Sequence, residues 1–411
     1  MSDSLDTWLA RIERLHPSEI ELGLERLRGV AGALGVERLP MPVITVAGTN
    51  GKGSVVALIR ALAGAAGLGC CVYTSPHLQR FNERIVLPDG QAGDDDLCRA
   101  FEAVEAARGD TPLTYFEFTT LAGLWLFRDS GADLAVLEVG LGGRLDAVNL
   151  LDADVAVVTS VGLDHVEWLG DTREKVAVEK LGIGRPGHPL VYGERDAPAN
   201  LDAELERLGV VPLRAGREYH VDDAHLMIRV GERLRRYPLP LPARLGSDNL
   251  ATACQALAAA GLAPAPDLPH RVADTGLVGR CQVRRWRGAQ CVLDVGHNLE
   301  ALSRLRERLP LCAGRRRIVA GMMADKPVEA ALGLLAERPA DWYLARPGLP
   351  RAADPARLAA ALPESAPRRV FDSVAEALAC AVADCGAGDQ VLIVGSFYTV
   401  AEALNAMDED D

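Results

Sequence analysis

The run Val43-Ile-Thr-Val-Ala47 passes directly into Gly48-Thr-Asn-Gly-Lys-Gly-Ser54 and then into an apolar-periodic stretch that reaches about Ala66. The first segment reads as a buried strand and the last, from Ser54 onward, as a helix. The turn between them constrains the fold. Its glycines let the backbone curl until the N–H groups point inward, and the helix N-terminus adds partial positive charge, so the turn suits an anionic phosphate. Lys52 supplies a mobile point charge for β- and γ-phosphates. The spacing departs from GxxxxGK[ST], because two residues separate the glycines and Gly53 stands between Lys52 and Ser54. A glycine-rich turn without a ligand is the plain alternative. The order strand, lysine, hydroxyl, helix favours a nucleotide.

Similar alternation continues along the chain. Cys70–Tyr73, Leu134–Val139 and Val155–Thr159 read as strands, with a helix at Phe118–Asp129. The second half repeats it: strands at Cys291–Val295, Arg317–Ala320, Trp342–Leu344 and Val391–Val394 alternate with helices at Leu299–Leu309, Val328–Glu337, Pro355–Leu362 and Val374–Ala383. A further helix is expected at Asn249–Ala260. Buried strands separated by helices indicate an α/β fold with a mostly parallel sheet. At 411 residues two domains are expected. We draw them as a phosphate-loop domain over 1–279, followed by a smaller Rossmann-like α/β domain over 280–411.

Composition narrows the function. The net charge is −13 with no basic block, which argues against nucleic-acid binding. No apolar run reaches the ~18–20 residues that cross a bilayer. Met1-Ser-Asp-Ser-Leu-Asp-Thr-Trp8 lacks the basic and apolar regions of a signal peptide. The nine cysteines contain no CxxC pair, so they read as reduced thiols of a cytoplasmic protein. Of 44 basic residues only Lys52, Lys175, Lys180 and Lys326 are lysines. Positions that stay lysine are therefore enriched in chemistry closed to a guanidinium.

Ligands of such sheets gather at the carboxyl ends of strands. Glu138 closes one apolar strand, and burying it is costly unless it is paired or binds a metal. Asp164-His165 follows another strand, and Ser75, in Thr74-Ser-Pro-His-Leu78, follows a third. Magnesium takes hard oxygen ligands and shares them with substrate phosphates, so a carboxylate and a hydroxyl near ATP form the expected arrangement. The plainer readings are a salt bridge for Glu138, a core histidine for His165 and a turn serine for Ser75.

Val46-Ala-Gly-Thr-Asn-Gly-Lys-Gly-Ser54, Thr74–Leu78, Glu138-Val-Gly-Leu-Gly-Gly-Arg-Leu-Asp-Ala147, Leu163-Asp-His165 with Trp168-Leu-Gly170, and Glu179-Lys180 together resemble the dihydrofolate synthase/folylpolyglutamate synthase family of Mur-ligase-like amide ligases. The likeness runs from Trp8 to Gly395-Ser-Phe397 and is greatest to the bifunctional bacterial members. It implies ATP contacts at Thr49, Asn50, Gly51, Lys52, Gly53 and Ser54, with further nucleotide contacts at Asn249, Arg280, Asp294 and His297. It implies magnesium ligands at Ser75, Glu138 and His165. Lys180 matches a lysine that becomes a carbamate and helps to hold a second magnesium. Lys52, His165 and Lys180 would thus serve catalysis. Substrate contacts are implied at Arg14, Leu15, His16 and Pro17, at Thr114, Tyr115, Phe116 and Glu117, and at Leu145, Asp146 and Ala147.

The implied reaction is ATP-dependent amide formation through an acyl phosphate, joining L-glutamate to 7,8-dihydropteroate and to reduced folates. The implied partners are these small molecules, and the family precedent is a monomer. Phe116 would stack on the pterin and Asp146 would accept its N–H bonds, the alternatives being a core aromatic and a helix N-cap. Lys180 has a chemical case of its own. A neutral lysine amine adds carbon dioxide and becomes a hard oxygen ligand, whereas the bland reading is an i,i+4 helix partner. Two departures touch the adenine pocket: Leu299 stands where the family has proline, and Gly279-Arg280-Cys281-Gln282 lacks the usual proline and aromatic. A cell-wall Mur ligase would lack Thr114–Glu117 and Leu145–Ala147, and a non-ligating nucleotide-binding module has no need of Glu138, His165 and Lys180.

Overall fold

Stretches rich in β-branched side chains form the frame of the first of two units, Met1–Thr275 and Gly276–Asp411. The computed structural model describes residues 4–16, 21–240 and 243–410. Val43–Ala47 (β1), Cys70–Tyr73 (β2), Ile85–Leu87 (β3), Gly90–Gln91 (β4), Leu134–Glu138 (β5), Val155–Val158 (β6), Pro189–Tyr192 (β7) and Val211–Arg214 (β8) make one sheet, ordered β4-β3-β2-β5-β1-β6-β7-β8. At one edge β3 runs antiparallel to both β2 and β4, and the remaining pairs are parallel. The inner strands β2, β5, β1 and β6 are buried at every residue, as sheets covered on both faces require. The helix that follows β1 runs over Lys52–Ala65, two residues ahead of the expected Ser54 start, because Gly51 serves as its N-cap.

A three-stranded antiparallel sheet, His220–Val221 (β9), His225–Val230 (β10) and Arg233–Pro238 (β11), also belongs to this unit. β10 and β11 join through the two-residue turn Gly231-Glu232, with Gly231 at φ 60°. Two-residue hairpin turns take positive φ at such positions. Tyr237 is the one fully buried residue of β11, so no alternating apolar pattern announces that strand.

In the second unit, Gln282–Trp286 (β12), Ala289–Asp294 (β13), Arg316–Ala320 (β14), Asp341–Ala345 (β15), Arg368–Phe371 (β16) and Gln390–Val394 (β17) form a sheet ordered β12-β13-β17-β14-β15-β16. All its pairs are parallel except β12–β13. The fold is therefore α/β with two mostly parallel sheets. Each unit encloses its own apolar core. No helix among the described residues is long and apolar enough to cross a membrane.

Ile44 is fully buried in β1, flanked by Val136 on β5 and Val155 on β6. Ile44→Ala leaves a cavity in a close-packed interior, and we expect it to cost about 2–5 kcal/mol. Urea unfolding of the first unit would measure this. A loss below about 0.5 kcal/mol, the scale of surface substitutions, would contradict the central placement of β1.

Candidate active site

The neighbouring strands β2, β5, β1 and β6 deliver the candidate residues to one edge of the sheet. Ser75 lies just beyond β2, Glu138 ends β5, the glycine-rich turn follows β1, and Ser160 to His165 follow β6. The register places Glu138 beside Val46, two residues before Gly48. The chain leaves β1 towards β2 on one side, while β6, β7 and β8 extend on the other. Ligands of parallel sheets occupy such reversal points.

The phosphate loop is braced from β6. Thr49 N donates to Ser160 O at 2.9 Å, Thr49 Oγ1 to Gly162 O at 3.0 Å, and Asn50 N to Ser160 Oγ at 3.0 Å. Thr159 Oγ1 donates to Asn50 O at 2.7 Å. Lys52 Nζ donates to Gly48 O at 2.9 Å, which sets its ammonium at the loop rim. Gly48 has φ 151°, and a Cβ there would sit 1.9 Å from Thr159 Oγ1. Gly51 has φ 90°, and a Cβ on it would lie 3.0 Å from Asn249 Oδ1, so Asn249 adjoins this loop. Thr159 and Ser160, whose hydroxyls tie the loop down, are absent from the expected site. Two hydroxyl residues at the end of an apolar strand were their signal.

Lys180 is buried on the helix Arg173–Leu181. A clamp holds it there. Arg144 N donates to Glu179 O at 2.8 Å, Arg144 Nη2 pairs with Glu179 Oε1 at 2.9 Å, and a Cβ on Gly143 would meet Glu179 O at 2.7 Å. Burial, reinforced by the nearby Lys52 charge, pushes the Lys180 pKa down to about 7, while Asp164 and Asp146 pull the other way. Asp146 is buried too. Its carboxylate accepts from Leu141 N at 2.8 Å and Val148 N at 3.0 Å and caps the turn Ala147–Leu150. Burial lifts its pKa to about 6 against these backbone donors and Lys52. The N-cap reading of Asp146 thus holds. Asp164, which electrostatics couple to Lys180, was quoted in the sequence motif but given no role.

His165 is exposed, with φ 50° and ψ 45°, at the start of the short helix Val166–Leu169. It is not a core histidine. Ser75 is half-buried and Glu138 buried.

The implied substrate segments occupy the neighbouring helix start and loops. Thr114 caps Tyr115–Arg128, and Glu117 Oε2 accepts from Thr114 N at 2.8 Å in a capping box. Glu117 Oε1 meanwhile pairs with Arg26 at 2.8 Å. Arg26 also pairs with Glu21, which meets His16 Nε2 at 2.9 Å. That chain links the N-terminal segment to the helix start, and Arg26 was not foreseen. The Phe116 ring is half-buried, 5.9 Å from the Tyr73 ring, and a Cβ on Gly140 would come within 2.7 Å of it. The Arg84 guanidinium lies 5.3 Å from the centre of the Tyr115 ring. Leu15 and Leu145 are half-buried, Ala147 is buried and Arg14 is exposed. Pro17 lies outside the described residues.

The second unit gathers Arg280, Asp294 and His297. Asp294, at the end of β13, accepts from Cys281 N and Gly296 N, each at 2.8 Å. Burial raises its pKa, opposed by Arg280. The Arg280 guanidinium lies 5.7 Å from the Phe397 ring centre, and the His297 ring 6.5 Å. Phe397 thus joins this group. It too was quoted only as part of a motif.

Comparison with known proteins identifies the family and the fold. Residues 46–189 match the Mur ligase middle domain and residues 279–397 the Mur ligase glutamate ligase domain. A dihydrofolate synthase/folylpolyglutamate synthase of Escherichia coli K12 is 40% identical over 98% of this chain and 96% of its own length. A folylpolyglutamate synthase of Lacticaseibacillus casei is 33% identical over 91% of each. The structure of E. coli FolC in complex with DHPP and ADP superposes with a TM-score of 0.92 at 40% identity, covering 100% of this chain and 99% of that one. A bifunctional folylpolyglutamate synthase/dihydrofolate synthase with Mn, AMPPNP and L-glutamate bound gives 0.90 at 39% identity, covering 99% and 98%.

Gly48→Ala should displace the loop, since the added methyl meets Thr159 and the left-handed backbone disfavours any side chain. We expect ADP affinity in calorimetric titration to fall at least tenfold, about 1.4 kcal/mol. An unchanged affinity would remove the loop from the nucleotide site.

Proposed function

The chain belongs to the dihydrofolate synthase/folylpolyglutamate synthase family of Mur-type ligases, and on that premise we propose how its residues divide the work of an ATP-dependent ligase that joins L-glutamate to 7,8-dihydropteroate and to reduced folates. A carboxylate is a poor electrophile because its leaving group would be an oxide. The enzyme solves this by moving the γ-phosphoryl group of ATP onto the carboxylate oxygen. The glutamate nitrogen then attacks the carbonyl carbon of that acyl phosphate, an amide forms, and phosphate departs with the C–O electron pair.

The observation that carries the assignment is the position of Lys180, buried and clamped within electrostatic reach of the phosphate-loop lysine. At a pKa of about 7, about half of its amines are neutral at pH 7, against roughly 0.04% for an ordinary lysine near ~10.4. The neutral amine is the form that adds carbon dioxide, so this environment supports a carbamate at Lys180.

Gly51, Gly53 and Ser54 cradle the phosphates with backbone N–H groups, and Lys52 offsets charge on the transferring group. Thr49 and Asn50, whose own N–H groups go to Ser160, hold the loop in shape against the nucleotide. Asn249, Arg280, Asp294 and His297 serve the rest of the nucleotide. Glu138, His165 and Ser75 suit one magnesium ion, because adjacent strand ends present a carboxylate, an imidazole and a hydroxyl beside the loop. The Lys180 carbamate suits a second. Bound magnesium neutralises phosphate charge and polarises the transferring group. Among the described residues no three His, Cys, Asp or Glu side chains converge by themselves, so phosphate oxygens and the carbamate would supply the further hard oxygen ligands that magnesium prefers.

For the pterin, Phe116 offers a ring face. Asp146 sits beside it with both oxygens already engaged by backbone donors, so it receives pterin N–H groups through its remaining lone pairs. Thr114, Tyr115 and Glu117 begin the helix that carries Phe116. Arg14, Leu15 and His16 with Leu145 and Ala147 serve the same substrate, as does Pro17 by the family likeness alone. We place the enzyme in the cytoplasm as a monomer; its nine free cysteines support the reducing compartment.

Two measurements test this reading. Protein, ATP, magnesium, glutamate and dihydropteroate should together yield dihydrofolate and phosphate in equal amounts. Absence of glutamate-dependent ADP release with either pteroate or tetrahydrofolate as acceptor would reject the assignment. Lys180→Ala should lower kcat at least a hundredfold and regain part of it in added short carboxylic acids, which restore the missing oxygen ligand. Wild-type turnover in the variant would refute the carbamate.

A further inference from the structure

At the opposite edge of the second unit's sheet, a cavity of about 420 Å³ opens at the amino-terminal ends of β14, β15 and β17. Its floor is apolar, formed by Ile318, Leu335 and Leu392, and four arginines line it: Arg306, Arg315, Arg316 and Arg338. An adjoining cavity of about 320 Å³ shares Arg315 and Arg338. Five-residue strands separate this edge from the one bearing Asp294, roughly 16 Å at ~3.3 Å per residue. Asp294 therefore lies at the other end of the strands, although Cys281, the neighbour of Arg280, is close enough to act electrostatically on Arg316.

The charges here do not balance. Arg306 pairs with Glu337 at 2.8 Å and caps the helix Val328–Ala336 through Leu334 O at 3.1 Å. Arg315 pairs with Asp341 at 3.1 Å. These two arginines have structural employment, and helix C-termini attract cations in any case. The other two differ. Among the described residues Arg316 reaches only neutral acceptors, Gln390 Oε1 at 3.1 Å and Pro310 O at 3.0 Å. Arg338 makes no hydrogen bond or ion pair among the described residues. Burial depresses the Arg316 pKa, and the neighbouring Arg338 charge pushes it the same way. Two like charges thus face one cavity without a carboxylate between them, in a chain whose net charge is −13.

We propose that this cleft binds a small organic anion, a phosphorylated or carboxylated molecule with an apolar or aromatic body. The anionic group would lie between Arg316 and Arg338, where a planar guanidinium offers paired donors. The apolar body would cover Ile318, Leu335 and Leu392. The volume suits a molecule of about the size of ordinary small-molecule ligands. The proposal is independent of the ligase reading.

Calorimetric titration of the full-length protein, saturated beforehand with AMPPNP and magnesium, tests it. The probes are 1-naphthyl phosphate, 1-naphthoate and the neutral 1-naphthol. We expect saturable binding of at least one anion and none of 1-naphthol, and the stronger anion identifies the phosphorylated or carboxylated class. Arg338→Gln and Arg316→Gln should each weaken that binding about tenfold, with AMPPNP affinity unchanged. Should Arg316→Gln fail to fold, Arg338→Gln decides alone, since that side chain is exposed and holds nothing in place. Absence of anion binding, equal binding of 1-naphthol, or full affinity in Arg338→Gln would overturn the proposal.

Discussion

Two ammonium groups of like charge, Lys52 and Lys180, are held within electrostatic reach of each other, and the second of them is buried. That arrangement is costly. An isolated charge taken from water into an apolar interior shifts its pKa before it tolerates the loss of solvent. Lys180 does shift, and the price is kept bearable by Asp146 and Asp164 nearby. The helix cannot relieve the strain by turning its lysine outward, because Arg144, Gly143 and Gly182 lock its end against the loop after β5: a Cβ on Gly182 would lie 2.5 Å from Arg144 Cβ. The backbone clamp therefore sets the electrostatics, and the electrostatics set the chemistry available to one lysine.

The sheet order explains why so few residues suffice. β5, β1 and β6 are neighbours although 86 residues separate β1 from β5 and 107 separate it from β6, so a carboxylate, a phosphate loop and a histidine-bearing segment emerge at one edge. β2 adds a hydroxyl from the far side of β5. The four strands that end here are buried at every residue, a packed base for a reaction that depends on placing phosphate oxygens.

Much of this was legible from sequence for a physical reason. Fully buried parallel strands carry uninterrupted apolar runs, and the runs at Val43, Cys70, Leu134 and Val155 all correspond to strands. Glycines that must take positive φ, such as Gly48 and Gly51, cannot be hidden in a sequence. Other features left no such trace. β11 is Arg-rich and almost wholly exposed, so its pairing with β10 is set by the turn at Gly231. The link Arg26–Glu117 spans 91 residues and joins two helices whose own patterns say nothing of each other. Asp146 shows the converse difficulty: the residue was singled out, yet its carboxylate also performs the plain task of capping a turn. Phe397 stood within a quoted motif, but only the fold brings its ring to Arg280 and His297.

The central claim is spatial: the terminal phosphates of a nucleotide lie at the sheet edge formed by the ends of β5, β1 and β6, where Glu138 and the segment bearing His165 emerge. A crystal structure with AMPPNP and magnesium measures it most directly. The account predicts a γ-phosphate in contact with Lys52 Nζ and an ion bridging that phosphate to Glu138. A triphosphate bound elsewhere on the chain, with Glu138 and His165 contacting neither phosphate nor ion, would contradict it.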